Sequence, residues 1–519
     1  MAWFDEAIFY HIYPLGLCGA PQKNDYGQVC HRLQSLYLWL DHIEKTGFNA
    51  LYIGPLFESV GHGYETTDYY KLDSRLGDNE DLRKFVKAAH DKGIKVVFDA
   101  VFNHTGRDFF AFKDIRENRE HSPYLYWYKD VDLNGNNEYN DGFSYANWGG
   151  YDLLAKLDLN NPEVRNYIFD VVRYWVREFD VDGLRLDAAD VLDFDFLKQL
   201  RSMCDSIKEE FWLMGEVIHG EYYRWVNPEM LHSVTDYTLH KALYSGHNDH
   251  NYFEIAHTVN RLMQNGNDMR RLYSFADNHD VERFVHSLRN RADLLPAYVL
   301  LFTLPGIPSI YYGSEFGVEG RKERYSDASI RPYLDLNDLL SNENDLYKLI
   351  CVLCSIHKKE KALSYGEYKE LSLTTTSFCF ARGEVIVTVN NSDEDASFNV
   401  AADRNYVGCL GDQKVAVQDG RIYLEVKGHG GEIWIPDDEN RRVYEPIDVH
   451  FETEDKLFDD RLPERASPGK SYEEMSIEEL QAEILACMER NGPLNDRMIR
   501  DVRENVYRDS LLNLVRSFR

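Results

Sequence analysis

Eight short β-rich segments between residues 8 and 312 alternate with longer stretches, several of which carry a helical pattern of apolar residues. The apolar residues of 82–92 and 162–179 fall on one helical face, and Asn161-Pro162-Glu163 is typical of a helix start. Neighbouring parallel strands need a crossover long enough to hold such a helix. The alternation therefore predicts an α/β fold of βαβ units that closes into a (β/α)8 barrel. The predicted strands are 8–13, 50–53, 96–101, 183–186, 212–217, 234–237, 272–275 and 309–312.

Three stretches depart from this alternation and divide the chain. Aromatic, Gly and Asn residues crowd into 105–157, which predicts an inserted loop subdomain after the third strand. Short alternating strands separated by Gly, Asn and Asp turns fill 358–436, and this pattern favours a C-terminal antiparallel β-sandwich. The charged residues 437–519 are predicted to form an acidic linker and a helical-hairpin tail. The barrel would then comprise 1–104 and 158–357.

The tail contains two helix candidates, each with one apolar face. Ser476 and Glu479 have the spacing of a capping box, and Asn491-Gly492-Pro493 ends the first helix. A helical hairpin must bury its apolar faces, either on its own barrel or on a second copy of the chain. A homo-oligomer formed through these C-terminal helices is therefore one of two alternatives. The apolar residues are Ile477, Leu480, Ile484 and Met488, then Met498, Val502, Val506 and Leu514.

The formal net charge of the 519-residue chain is -30 at pH 7. This charge argues against a nucleic-acid partner, whose phosphates need a basic surface, and it would be repelled by anionic membranes. The most apolar stretch, 297–312, is broken by Pro305, Gly306 and Pro308, so we expect no membrane span. The first residues lack a basic segment followed by an unbroken apolar one, which favours a cytoplasmic protein.

Three acidic residues stand at the ends of β-rich runs: Asp187, Glu216 and Asp280. A (β/α)8 barrel assembles its chemistry at the carboxyl ends of several strands. Two carboxyl groups at such a place are what cleavage of a glycosidic bond requires. For a single Asp or Glu, a helix cap or a salt bridge is the ordinary explanation. Three acids in register favour a catalytic site.

Arg185 lies two residues before Asp187 and shares its strand face, because side chains alternate along a strand. Its fixed positive charge is predicted to keep Asp187 ionised and oriented. Asp99 is expected to brace Arg185 or the strand end.

These residues fall within motifs that resemble the four signatures of the α-amylase family of retaining glycoside hydrolases. The motifs occur in the family's order and are Asp99-Ala100-Val101-Phe102-Asn103-His104, Gly183 to Asp187, Glu216, and Asn278-His279-Asp280. The resemblance extends from about residue 8 to about residue 436. Segment 154–158 is similar to the one that marks the neopullulanase and cyclomaltodextrinase branch, with Ala155 where proline is usual.

The resemblance implies a role for each acid. Asp187 would be the nucleophile that forms a covalent glycosyl ester, and Glu216 the general acid and base. Asp280 would be a third carboxylate that holds substrate hydroxyls. Such a site cleaves with retention by double displacement and requires no cofactor.

The resemblance also implies residues that bind the sugar at the cleavage point. His104 and His279 would bond its hydroxyls, although a lone histidine is usually structural. Tyr64, within His62-Gly63-Tyr64, would stack beneath it. Asp327 and Arg331, spaced Asp-x-x-x-Arg after the eighth strand, look like the pair that closes the non-reducing side. A surface ion pair is the competing explanation for these last two residues.

A calcium site is a further alternative, and we assign no metal ligand from the sequence. One loop fits most of a calcium-binding spacing, yet an Asn/Asp-rich turn explains the same residues. The family's frequent calcium site includes Asn103, but Ala189-Asp190 stand where calcium-binding members place Lys-His. The residues of the loop are Asp130, Asp132, Asn134, Gly135 and Asp141.

The sequence thus predicts a cytoplasmic hydrolase of carbohydrate metabolism that cleaves α-1,4 bonds of maltooligosaccharides or other maltodextrins. A transglycosylase or a cyclomaltodextrinase of the same family is the near alternative, because a sugar hydroxyl can intercept the covalent intermediate as water does. The distant alternative is a carbohydrate-binding protein that lost activity. Such a protein would be expected to lack at least one of the three acids, and all three are present.

Overall fold

The computed structural model describes residues 2–219, 221–323, 326–438, 444–453, 475 and 477–490. The chain divides into two compact units. One comprises Met1–Arg321 and Ala328–Glu454, and the other comprises Lys322–Asp327 and Asp455–Arg519.

Eight parallel strands of the first unit form a closed barrel. They are β1 (Phe9–Ile12), β2 (Ala50–Ile53), β3 (Lys95–Ala100), β4 (Gly183–Leu186), β5 (Trp212–Gly215), β6 (Ser233–Thr235), β7 (Leu272–Phe275) and β8 (Ile307–Tyr311). Each strand pairs with its neighbours along the chain, and β1 pairs with β8 to close the ring. The predicted strands match these bounds within two residues, so the predicted (β/α)8 fold is confirmed.

Helices occupy most of the crossovers. Asn161 accepts a bond from the Glu163 N–H at the start of the helix after the insertion, as its sequence predicts. The described part of the crossover from β5 to β6 differs, because it carries the short 3-10 helix Tyr222–Arg224. The α-helices of the first unit are Pro14–Leu17, Tyr37–Thr46, Asn79–Asp91, Phe110–Asn118, Pro162–Phe179, Phe194–Ile207, Tyr237–Asn248, Tyr252–Gln264, Phe284–Ser287, Leu294–Thr303, Leu336–Leu340, Asp345–Lys359 and Lys361–Tyr365.

Aromatic and aliphatic side chains fill the interior of the barrel. The Trp212 ring stacks on Phe9 with the ring centroids 4.9 Å apart. The N-terminal 3-10 helix Trp3–Glu6 adds Phe4 to the same cluster. The barrel is therefore a packed core, and its functional side chains must stand at the strand ends. The cluster also contains Tyr52, Val97, Met214, Tyr273, Phe275 and Ile307.

The chain makes an excursion between β3 and β4, as predicted. It forms the helix Phe110–Asn118 and a sheet of three short strands, His104–Gly106, Asn147–Trp148 and Tyr151–Lys156. His104 pairs with Lys156, so the excursion begins and ends beside the carboxyl end of β3. The sequence-based boundaries 105–157 stay a prediction.

The candidate calcium loop lies in this excursion. Asp141 forms an ion pair with Arg107 at 2.7 Å, and Asp132 accepts the Asn134 N–H at 2.9 Å. Over the described ranges, three His, Cys, Asp or Glu ligand atoms converge at His31, Asp78 and Asp81, and the loop forms no such group. Asp132 and Asp141 thus have partners within the protein, and the calcium alternative stays a prediction.

An antiparallel sandwich follows the barrel and confirms the predicted C-terminal fold. Cys379, Ile386, Phe398, Leu424 and Trp434 are buried in its core. Its six-stranded sheet has the order Tyr368–Leu373, Ser377–Arg382, Val385–Asn390, Gly431–Pro436, Tyr406–Gly408 and Lys414–Val415, and its second sheet pairs Ala396–Ala401 with Arg421–Val426.

The second unit contains one described α-helix, Ile477–Arg490. This helix matches the first predicted tail helix, and Leu480 and Ile484 of its apolar stripe are buried. The second predicted tail helix lies outside the described residues. Of the helices that are described in the chain, none has the length and apolar character needed to cross a membrane.

Asp236 should make the stability of the protein depend on pH. It is fully buried and caps the helix Tyr237–Asn248 by accepting the Leu239 N–H at 2.9 Å. Burial raises the pKa of its carboxyl group to about 7. Because the unfolded value is about 3.9, the folded state binds an extra proton between these two values. The stability that this proton supplies is complete at low pH and is lost as the pH rises through 7.

We therefore expect Asp236→Asn to remove a slope of at most about 1.4 kcal/mol per pH unit from the free energy of unfolding. Asn keeps the oxygen that caps the helix. Urea unfolding of the wild type and the variant from pH 4 to pH 8 measures the difference. Two curves that stay parallel over this range would contradict the assignment.

Candidate active site

The backbone at the carboxyl ends of β4 and β5 positions two of the predicted acids. The Asp187 N–H donates to the Ala100 carbonyl at 3.1 Å, and the Glu216 N–H donates to the Leu186 carbonyl at 2.9 Å. These bonds continue the barrel ladder past the last residues of the strands. Both side chains therefore project from a rigid frame.

Arg185 joins the two acids. It is 3% exposed. Its Nη1 contacts Asp187 Oδ1 at 2.7 Å and Asp99 Oδ1 at 2.9 Å, and its Nη2 contacts Glu216 Oε1 at 2.8 Å. Asp187 and Glu216 thus lie on one guanidinium group, and the structure brings the predicted pair together.

Burial raises the pKa of the Asp187 carboxyl group well above its usual range. The Arg185 charge opposes this shift, whereas the nearby Glu216, Asp99 and Asp280 carboxylates add to it. Asp187 and Glu216 share one arginine, which orients both carboxyl groups.

The surroundings of Asp280, in the loop after β7, favour its ionised form, unlike those of Asp187. Arg331 Nη2 lies 2.9 Å from its Oδ1, and His279 Nε2 lies 2.9 Å from its Oδ2. Although burial opposes ionisation, His279 and Arg331 hold the pKa of Asp280 well below its usual range. Asp280 is therefore a carboxylate that accepts hydrogen bonds.

Tyr64 and His104 lie beside this group. The Tyr64 hydroxyl donates to Asp99 Oδ2 at 3.0 Å and contacts His279 Nε2, and its ring is parallel to the His279 ring at 5.6 Å. His104 Nε2 lies 3.1 Å from the Tyr64 carbonyl oxygen. Burial lowers the pKa of His104 to about 3, so the imidazole is neutral and donates this bond. The loop with Tyr64 is thus fixed to the ends of β3 and β7.

Asp327 is placed differently from the other predicted residues. Arg331 reaches the site through Asp280 and through a 2.8 Å bond from its Nε to the His279 carbonyl. Asp327 belongs to the second compact unit, with 455–519. Its pairing with Arg331 stays a prediction.

Three residues of the site carry no role in the sequence-based prediction. The Tyr237 hydroxyl lies 3.3 Å from Glu216 Oε1. Ala188 has the left-handed φ of 47° and donates its N–H to Glu216 Oε2 at 3.1 Å. The Trp148 ring is parallel to the His104 ring at 6.5 Å. Tyr237 stands at the end of a predicted strand, and this position could have identified it as a site residue. The residue type of Ala188 gives no indication of a role in the site.

Gly215 leaves no room for a side chain beside Glu216. A Cβ at this position would lie 2.5 Å from Leu231 Cδ1 and 2.7 Å from Ala189 Cβ. We expect Gly215→Ala to displace the end of β5 and to lower kcat by about 10²-fold, with a loss of about 1–3 kcal/mol in the free energy of unfolding. Initial rates and urea unfolding measure both effects.

Gly54, directly after β2, provides the control for Gly215. A Cβ there would meet its nearest atoms, the Ile12 carbonyl oxygen and Pro14 Cδ, at 3.4 Å, which is ordinary contact. Gly54→Ala should keep wild-type kcat. If the two variants behave alike, steric displacement of Glu216 is not the cause.

The barrel, its insertion and the carboxylates around Arg185 define the class of the protein, a glycoside hydrolase. A family model described as Alpha amylase, catalytic domain, matches residues 32–359. The chain belongs to the α-amylase family.

Individual relatives agree with this membership. A cyclomaltodextrinase of Thermoanaerobacter pseudethanolicus is 32% identical over an alignment of 420 residues, and the match covers 76% of this chain and 71% of that protein. An intracellular maltogenic amylase of Bacillus subtilis is 31% identical over an alignment of 345 residues, and the match covers 62% of this chain and 57% of that protein. A solved cyclomaltodextrinase structure matches with a TM-score of 0.74 at 26% identity, over 83% of this chain and 78% of that one.

Proposed function

We propose that this protein is a retaining α-glucan hydrolase that cleaves α-1,4 bonds of maltooligosaccharides and dextrins inside the cell. One observation carries the proposal: Asp187 and Glu216 contact the same buried guanidinium group of Arg185. That contact places two carboxyl groups at the carboxyl ends of adjacent strands, where a retaining enzyme needs them.

In the first step, Asp187 attacks the anomeric carbon of the bound sugar while Glu216 gives its proton to the departing glycosidic oxygen. The bond to that oxygen breaks and a glycosyl ester forms on Asp187. In the second step, Glu216 takes a proton from water as the water oxygen attacks the same carbon. The ester breaks, Asp187 is ionised again, and the sugar leaves with its original configuration.

The surrounding residues would bind the sugar and stabilise the positive charge that develops on it. The ionised Asp280 accepts bonds from sugar hydroxyls and adds negative charge beside the oxocarbenium-like transition state. Tyr64 would provide an aromatic face beneath the sugar, and His104 and His279 would bond its hydroxyls, as the family resemblance implies. We assign Asp327 and Arg331 to the non-reducing side of the pocket, as the family resemblance implies.

Cyclic dextrins are the second candidate substrate. The similarity to a cyclomaltodextrinase in both sequence and fold favours them. The cytoplasmic location is supported by the name of the intracellular maltogenic amylase relative. Self-association through the C-terminal helices stays a prediction, and light scattering of the full chain tests it.

Product analysis tests the proposed function. Purified protein is incubated with maltoheptaose, β-cyclodextrin and pullulan, and the products are separated by chromatography, with Asp187→Asn as the matched control. We expect wild type to release short maltooligosaccharides that retain the α configuration, and the control to release none. Identical products from wild type and control on every α-glucan would favour a protein that binds carbohydrate without cleaving it.

A further inference from the structure

We propose that Tyr237, held by Asn278, is a positioning residue that donates a hydrogen bond to Glu216 and favours its ionised form, the form that Glu216 reaches when it gives up its proton in the first step of the reaction. The inference rests on the proposed hydrolase function and concerns the acid and base group alone. The hydrogen bonds involved connect residues that follow three barrel strands: Glu216 follows β5, Tyr237 follows β6 and Asn278 follows β7.

The direction of the hydrogen bonds follows from Asn278. Its Oδ1 accepts the backbone N–H groups of Asp280 at 2.7 Å and Val281 at 3.2 Å. These two bonds fix the orientation of the side-chain amide, so its Nδ2 must face the tyrosine. Asn278 Nδ2 then donates to the Tyr237 hydroxyl oxygen at 3.2 Å.

The tyrosine has one proton left to donate, and Glu216 Oε1 is 3.3 Å from its oxygen. Burial raises the pKa of Tyr237 well above its usual range, and the Glu216 and Asp280 charges raise it further. The phenol therefore keeps its proton at any working pH. Tyr237 is a permanent donor that points toward Glu216.

Glu216 has two other donors, and each also serves another part of the site. Arg185 Nη2 contacts Oε1 at 2.8 Å, but the same guanidinium holds Asp187. The Ala188 N–H contacts Oε2 at 3.1 Å and belongs to the backbone beside the nucleophile. Tyr237, at the start of the helix after β6, is a side-chain donor to Glu216 Oε1.

The titratable and charged groups that face Glu216 come from three elements. They are Arg185 and Asp187 from the end of β4, Tyr237 from the start of the helix after β6, and Asp280 from the loop after β7. A hydrogen bond to the charged form of a carboxyl group favours that form. Tyr237 thus assists Glu216 when it gives its proton to the departing oxygen, and it opposes proton retention at high pH.

The variant Tyr237→Phe tests this role because it removes the hydroxyl and keeps the ring. We expect the alkaline limb of the kcat/KM profile for maltoheptaose to move to higher pH by about one unit.

Tyr222→Phe is the matched control. The Tyr222 hydroxyl contacts the Thr238 hydroxyl at 2.9 Å, one residue from Tyr237, and its ring is fully buried. Like Tyr237→Phe, this variant loses only the hydroxyl oxygen of a tyrosine. It should keep the wild-type profile, and thermal unfolding of both variants shows whether either change acts through stability.

The proposal is overturned if the alkaline limb of Tyr237→Phe stays in place or moves to lower pH, or if Tyr222→Phe moves it equally. Such a result leaves the hydrolase function intact, because that function depends on cleavage by the wild type. Failure of the proposed function would instead appear as no cleavage of any glucan by the wild-type protein.

Discussion

Asp187→Asn is expected to lower kcat on maltoheptaose by about 10⁴-fold or more. The amide cannot form the glycosyl ester, and it no longer balances the charge of Arg185, which contacts it at 2.7 Å. The side chains have nearly equal volume, so the fold should persist. Initial rates of reducing-sugar release and a thermal unfolding curve measure the two properties separately.

A small external nucleophile distinguishes loss of the nucleophile from general damage. In Asp187→Ala, which leaves a space where the carboxylate stood, added azide should enter that space and attack α-maltosyl fluoride, whose fluoride needs no acid to depart. The expected product is β-maltosyl azide, because a single displacement inverts the anomeric carbon. A variant that retains more than a tenth of wild-type activity would show that Asp187 is not the nucleophile.

Arg185→Met is expected to affect both activity and stability. It removes the positive charge that three buried or partly buried carboxyl groups contact, those of Asp99, Asp187 and Glu216. Removal of one member of a buried ionic group costs about 3–5 kcal/mol of unfolding free energy, because the remaining charges lose their partner. Turnover should fall below detection, since neither acid keeps its orientation. Urea unfolding and initial rates measure the two losses.

Arg382→Met provides the control for Arg185. Arg382 is also fully buried, but its guanidinium donates to the carbonyl oxygens of Thr303 and Leu363 at 2.7 and 2.6 Å. Its loss should destabilise the protein and leave the turnover of the folded fraction unchanged. If Arg185→Met keeps normal turnover per folded molecule, the arginine has no part in orienting the acids.

The barrel could be predicted because each of its strands is buried on both faces. Such strands appear in the sequence as short continuous apolar runs, for example Trp212–Gly215 and Ile307–Tyr311. The sandwich strand Ala396–Ala401 has a weaker apolar signal, because its alternate residues are exposed.

The site residues that lie in family motifs could be predicted from the sequence. Residues that belong to the site only through a contact in the folded chain could not. Asp187 and Glu216 stand in recognisable segments, and the alternation of strand side chains places Arg185 beside Asp187. Tyr237 contacts Glu216 across 21 residues of sequence, through the relative position of two strand ends. No local pattern encodes that distance. The left-handed backbone of Ala188 is likewise not indicated by its residue type.

The stacked tryptophan and phenylalanine inside the barrel also limit how a long polymer could be processed. A glucan cannot thread through a packed core, so it must approach from the side and lie across the rim. The loops and insertions around the rim would then set the chain-length preference, and the excursion after β3 is one of them. Efforts to change the size of the products should therefore alter that excursion and leave the strands untouched.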